Sequence, residues 1–367
     1  MVRVFCRNIL VGMSGGPTPV INATFAEIIK TARSQVTVLG LYGMRGGIRG
    51  LIDDDVCCLY DDKFSEIDTC LPGAILGTCR YKMVRTDEPK ILDNLKKHSI
   101  DCVLLIGGND TMDTASRLND LVIREGYDCS VIGVPKTIDN DLYIDHSPGY
   151  ISAAKYVSRS VARIIYDHKS FNEGGITIIE AMGRNAGWLT AAAYLTEKEI
   201  LGVSPDFIYL PEKPFSLERA ISEIKNVYDT NGYCAVVISE GVRDESGREV
   251  GAGLKVDDFG HAQLGGVSDI LKKEILAQYP KLKVRVERLG TMQRACDPDP
   301  LDLYEAKKIG QTAVAAAVAG YSGIMVAMMD NWPKLHEVAN RERVIPEAWI
   351  DDEKRLIEYL KTTIYPD

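Results

Sequence analysis

No stretch of this chain approaches the roughly 20 consecutive apolar residues a membrane helix needs, so none is expected. The opening MVRVFCRNILVGMSGG lacks the longer apolar core and small-residue cleavage site of a secretory signal, and reads instead as a first buried strand. Nine cysteines show no metal-binding spacing, and an odd count scattered over predicted strands and loops fits reduced thiols in a cytoplasmic protein. The neighbours Cys57 and Cys58 read as alternating strand positions rather than a redox pair. Positive charge is short as well. A formal charge of −9 argues against nonspecific nucleic-acid binding, so local basic groups must capture any anionic substrate. Solenoid repeats, low-complexity tracts and long Pro/Ser linkers are missing, and no Walker A or GxGxxG pattern occurs.

What is present is an α/β rhythm. At 367 residues the chain exceeds the size at which one hydrophobic core stops growing, so two domains are the default expectation. Short β-branched runs such as NILVGM, VTVLGLY, DCVLLIGG and SVIGVPK alternate with amphipathic stretches, and the pattern restarts at GGITIIEAMG and GYCAVVISEG. This is the signature of largely parallel sheets covered by helices, in two Rossmann-like lobes. The first lobe is expected over 1–150 with a return near 293–330, the second over 151–292, and 331–367, with its prolines, as a wrapping segment. Segment 241–268, rich in glycine and charge, reads as a mobile surface loop.

In open α/β sheets ligands bind beyond the carboxyl ends of strands, which directs attention to four loops. Ser14–Pro19 (SGGPTP) follows NILVGM; its glycines let backbone approach a phosphate and a helix N-terminus follows, though a tight turn explains it equally well. Gly107–Thr111 (GGNDT) repeats that geometry, with Asn109 or Asp110 alternatively a helix cap. Pro135–Asp141 (PKTIDND) places a cation and two carboxylates at one strand end. One carboxylate can take a proton from an attacking hydroxyl and the other can hold magnesium, against the simpler reading of an Asx turn. Met182–Trp188 (MGRNAGW) offers Arg184, whose planar fork of donors suits a transferring phosphoryl group. Together the last two loops point to phosphoryl transfer.

With SEGV around Glu240 and LGTMQR, these motifs stand in the order and spacing of the 6-phosphofructokinase family, which the chain resembles from residue 9 to about 320. That resemblance implies the phosphofructokinase fold, an active site in the cleft between lobes, Mg2+ as cofactor, and a homodimer or homotetramer. It implies Asp139 as the base for the sugar 1-hydroxyl, with Lys136 and Arg184 assisting transfer. Thr137, Ile138, Met182, Gly183 and Glu240 would contact the sugar, and Arg294, with Arg285 reaching from a neighbouring subunit, its 6-phosphate. Gly15, Arg80 and Asp110 would face the donor, and Asn109 and Asp141 the metal.

ATP-using members of the family typically carry glycine where Asp110 and Lys136 stand. Asp110 fills and repels the space of a nucleotide's α-phosphate, and Lys136 sets an ammonium against a small, highly charged donor. The pair resembles the pyrophosphate-dependent branch, so the expected partners are pyrophosphate and fructose 6-phosphate, with no nucleic acid and no membrane. ATP as donor, or a noncatalytic regulatory subunit, are the alternatives. Three departures stand out: Asn109 replaces the family's usual aspartate, Thr291 a histidine and Gly175 an arginine, which opens sugar specificity toward sedoheptulose 7-phosphate.

Overall fold

The computed structural model describes residues 8–251, 266–329 and 331–366. The chain divides into two compact units, one running up to Ser152 and resuming at Arg294–Glu342, the other Ala153–Gln293 resuming at Arg343. In chain order the strands are β1 (Asn8–Met13), β2 (Gly40–Met44), β3 (Val56–Cys58), β4 (Cys102–Gly107), β5 (Ser130–Pro135), β6 (Gly175–Ala181), β7 (Phe207–Tyr209), β8 (Tyr233–Ser239), β9 (Val284–Arg288) and β10 (Ile324–Met325).

The first unit holds a six-stranded sheet in the order β10-β5-β4-β1-β2-β3, parallel except for β3 against β2. Its central strands are buried on both faces, which is why NILVGM and CVLLIG read as continuous rather than alternating apolar runs. Ile9 and Val11 join one apolar cluster, with Leu104 and Ile106, while Leu10 joins the other, with Val103 and Leu105. Strand order reverses between β1 and β4, so the loops after these strands open on a topological switch point. Cys57 is buried and Cys58 exposed, the alternation expected of β3. Burial raises the Cys57 thiol above its ordinary value.

The second unit holds a four-stranded, fully parallel sheet in the order β7-β8-β6-β9. Its C-terminal part carries helices Glu347–Asp351 and Glu353–Ile364. Leu356, Leu360 and Ile364, spaced by four on helix Glu353–Ile364, make one buried face. Pro346 stands at the start of helix Glu347–Asp351, where its missing N–H costs nothing. Trp188, Trp349 and Tyr359 form an aromatic cluster with ring centroids 5.1–6.1 Å apart. Much of the segment expected to be a mobile loop, residues 252–265, lies outside the described residues. Its described part is ordered by Asp244, whose carboxylate accepts from the Ser246 hydroxyl and the amides of Ser246 and Arg248 and is pulled down to about 2.

Candidate active site

Three loops of the first unit leave β1, β4 and β5 at the same edge of the sheet. After β1 the chain turns through Ser14–Gly16, pinned by the Ser14 amide donating to Ile106 O of β4 at 2.9 Å. After β4, Gly108 starts helix Asn109–Arg124, whose N-terminus lies at the same sheet edge. After β5, the Lys136 amide donates to Gly107 O at 3.0 Å. Its side chain turns back so that Nζ donates to Gly16 O at 2.5 Å.

The electrostatics of this corner are unusual. Lys136 is only 3% exposed, yet its ammonium donates to a neutral carbonyl. Burial pushes its ammonium down to about 8, and the nearby Arg294 cation adds to the fall, against the pull of Asp139 and Asp141. Arg294 packs so tightly that a Cβ on Gly16 would sit 3.2 Å from its guanidinium. Two cations are thus held close together beside the Gly15–Gly16 turn.

The PKTIDND loop is organised by Thr137. Its Oγ1 accepts from the Asp139 amide at 3.0 Å. Asn109 Nδ2 donates to Asp141 Oδ2 at 2.6 Å. Burial, then the Asp139 charge, raises the Asp141 carboxyl well above the usual carboxylate range. Asn109 Oδ1 and Asp141 Oδ1 are both buried without a hydrogen-bond partner. Two orphaned hard oxygens are what a magnesium ion completing its shell with phosphate oxygens and water would use, so these residues fit that metal. Among the described residues no group of three or more His, Cys, Asp or Glu side chains is arranged to hold a metal by itself.

In the second unit the loop after β6 carries Met182, Gly183 and Arg184, and the loop after β8 carries Glu240. Glu240 is tied to β6 by its amide donating to Ala181 O at 2.9 Å, and Ser239 Oγ donates to Gly183 O at 2.6 Å. The Met182 amide donates to Gln293 Oε1 at 3.0 Å. The two loops touch: a Cβ on Gly241 would lie 2.0 Å from Arg184 O.

Not every expected residue joins these groups. Arg285 lies over the Phe171 ring at 4.3 Å, in register with Thr177. Thr177 is four residues before the end of β6, roughly 13 Å along a strand, so Arg285 does not reach the Met182–Arg184 loop of its own unit. Arg294, expected at the sugar phosphate, stands beside Gly16 and Lys136 in the first unit. Arg80 is exposed, two residues past Thr78, whose hydroxyl donates to Gly15 O at 2.7 Å. Asp110 lies in the first turn of its helix and Ile138 is buried. Thr78, Ser239 and Gln293 had drawn no attention in the sequence. Gln293 lies inside LGTMQR and Ser239 inside SEGV, so both were within reach; the Thr78 hydroxyl, which braces a backbone carbonyl, gives no sequence signal.

The Phosphofructokinase family profile matches residues 8–317. The chain belongs to the phosphofructokinase family. Among curated phosphofructokinase-family relatives, a pyrophosphate--fructose 6-phosphate 1-phosphotransferase of Xanthomonas campestris is 35% identical over 94% of this chain and 87% of its own length. A sulfofructose kinase of Alkalicoccus urumqiensis is 33% identical over 97% of this chain and 95% of its own. Among solved structures, the pyrophosphate-dependent phosphofructokinase of Marinobacter aquaeolei has a TM-score of 0.83 and 31% identity, covering 98% of this chain and 91% of that one. The α/β fold with mostly parallel sheets is therefore the phosphofructokinase fold, and the chain is a phosphotransferase of that family.

Proposed function

We propose that this phosphofructokinase-family enzyme transfers a phosphoryl group reversibly from pyrophosphate to the 1-hydroxyl of fructose 6-phosphate, with Mg2+. The observation carrying the donor assignment is the buried Lys136 ammonium beside Arg294, poised over the Gly15–Gly16 turn. An ammonium desolvated to this degree gains most from a small donor with dense charge. Asp110, in the first turn of helix Asn109–Arg124, adds a negative side chain where a nucleotide would extend its α-phosphate.

In this reading Asp139 accepts the proton of the sugar 1-hydroxyl as its oxygen bonds to phosphorus. The bond from phosphorus to the bridging oxygen breaks, and orthophosphate leaves with the electron pair. Lys136 and Arg184 offset the charge on the transferring group, with Gly15 and Arg80 on the donor. Thr137, through its bond from the Asp139 amide, holds the backbone that carries this carboxylate. Glu240, Met182 and Gly183 orient the sugar. Asn109 and Asp141 would hold magnesium, which when bound neutralises donor charge. A cytoplasmic homodimer or homotetramer, with Arg285 serving a neighbouring subunit, completes the proposal; sedimentation tests the assembly.

Initial rates with Mg2+, comparing pyrophosphate with ATP on fructose 6-phosphate, sedoheptulose 7-phosphate and sulfofructose, test the reading. Turnover with pyrophosphate and fructose 6-phosphate is expected. Turnover with ATP alone overturns the donor assignment, and a preference for sulfofructose overturns the sugar.

A further inference from the structure

A buried carboxylate outside the site just described connects to its reactive loop. Asp302 is fully buried in the first turn of helix Pro300–Val318, and its two oxygens accept three hydrogen bonds. Oδ1 takes the Gly149 amide at 2.7 Å, and Oδ2 takes the Ser152 amide at 2.9 Å and the Ser152 hydroxyl at 2.5 Å. These donors sit at the start of helix Tyr150–Lys169, so Asp302 caps a helix N-terminus from another element. Ser152 Oγ in turn accepts from the Asp299 amide at 2.9 Å, and Asp299 caps its own helix by accepting from Leu301 N at 3.0 Å. One turn beyond Asp302, Glu305 Oε2 meets His146 Nε2 at 2.7 Å. Helix Pro300–Val318 thus grips the stretch 146–152 at two points.

That stretch is the backing of the PKTIDND loop. The Thr137 amide donates to Pro148 O at 3.2 Å. Gly149, at φ +107°, lies so close that a Cβ there would be 3.1 Å from Thr137 O and 2.7 Å from Thr18 Cγ2 in the neighbouring turn. A line of contacts therefore runs from Asp302 through Gly149 and Pro148 to Thr137, and from Thr137 Oγ1 to the Asp139 amide. A carboxylate this buried is costly to keep charged, and its carboxyl is pushed up to about 6 by that burial. A residue serving only to start a helix would achieve as much at the protein surface without that cost.

We infer that Asp302 is a positioning residue for phosphoryl transfer: through the Gly149 and Ser152 amides it fixes the main chain that carries Thr137 and, through Thr137, the placement of Asp139. This rests on the reading of Asp139 proposed above. Misplacing a reacting group by about 1 Å costs on the order of a hundredfold in rate, while ground-state binding, spread over many contacts, is little affected. Asp302 should accordingly act on kcat far more than on KM.

The test is Asp302→Asn, which keeps the shape but turns a donor toward the Ser152 amide and hydroxyl, with Ser152→Ala as a milder second variant on the same line. Hydrogen exchange of the peptides covering 137–152 is measured on the whole protein without substrate, beside initial rates with the donor and sugar that support turnover. The expected result is faster exchange at Thr137 and Gly149 with slow exchange retained in β1 and β4. In parallel kcat should fall by about tenfold to a hundredfold and KM change less than threefold. Asp302→Glu, which reinstates an acceptor, should recover part of kcat. Unchanged exchange at Thr137 in either variant overturns the inference, as does a kcat loss no larger than the unfolded fraction. If no donor or sugar is turned over, the proposed reaction fails, and exchange at Thr137 still decides whether Asp302 holds this loop. If Asp302→Asn does not fold, Ser152→Ala decides by the same two readings.

Discussion

At the scale of single residues, the buried Lys136 ammonium has a measurable signature. Its proton is held with a pKa near 8 because burial and the Arg294 charge disfavour the cation. Below that pH the ammonium is present for an anionic donor; as pH rises through 8 it is lost. The KM for pyrophosphate should therefore climb above pH 8 by up to about tenfold per unit, with the KM for sugar nearly flat, and initial rates from pH 6.5 to 9.5 check this. A lysine in water would show no change until beyond pH 10. For donor choice, Asp110→Gly with Lys136→Gly removes the negative side chain and the cation together. Pyrophosphate kcat/KM should collapse and the ATP-to-pyrophosphate ratio rise; an unaltered ratio sinks the steric and electrostatic argument. Asp139→Asn keeps the amide bond to Thr137 Oγ1 but removes the base, so kcat should fall by about a hundredfold to ten-thousandfold with sugar binding, followed by calorimetry, retained.

At the scale of elements, the loops after β6 and β8 are interlocked, since no side chain fits between Gly241 and Arg184 O. Gly241→Ala must push one loop off the other. A loss of about 1–3 kcal/mol in denaturant unfolding is expected, with a fall in kcat larger than that loss explains; wild-type stability would show that the loops part easily. The strands themselves were legible as elements because a strand buried on both faces leaves an uninterrupted apolar run, as in NILVGM and CVLLIG. Less legible was the C-terminal segment. Its prolines suggested a segment wrapping the surface and drew attention away from the spacing of Leu356, Leu360 and Ile364, which makes a helix with a buried stripe. Proline at a helix start and proline in a loop look alike in one dimension.

For the whole molecule, stability should carry the mark of His146. Burial works to lower its pKa, but the nearby carboxylates of Asp145 and Glu305, the latter hydrogen-bonded to Nε2, outweigh it and raise the imidazolium to about 9. With a folded pKa above the unfolded 6.5, this contribution is fully present below pH 6.5 and lost as pH rises through 9. Its size is at most a few kcal/mol. Thermal unfolding of wild type and His146→Gln at pH 6 and pH 9.5 should show a gap at the lower pH that closes at the higher; a gap of equal size at both would remove the imidazolium from the account.

The sequence by itself determined the α/β class, the family, and which short motifs carry chemistry, because those depend on residue type, apolar period and order along one strand or loop. Only the tertiary structure decided which motifs meet. Lys136 returns to Gly16 across 120 residues, and Asp302 reaches Gly149 across 153. It set Arg294 beside the Gly16 turn and Arg285 over Phe171, although both follow from one stretch of chain. It also left Asn109 Oδ1 and Asp141 Oδ1 buried and without hydrogen bonds. The physical reason is that desolvation and hydrogen bonding act through space. A lysine's pKa, a carboxylate's partners and an oxygen's lack of one are set by neighbours brought in by chain closure, and no local pattern records them.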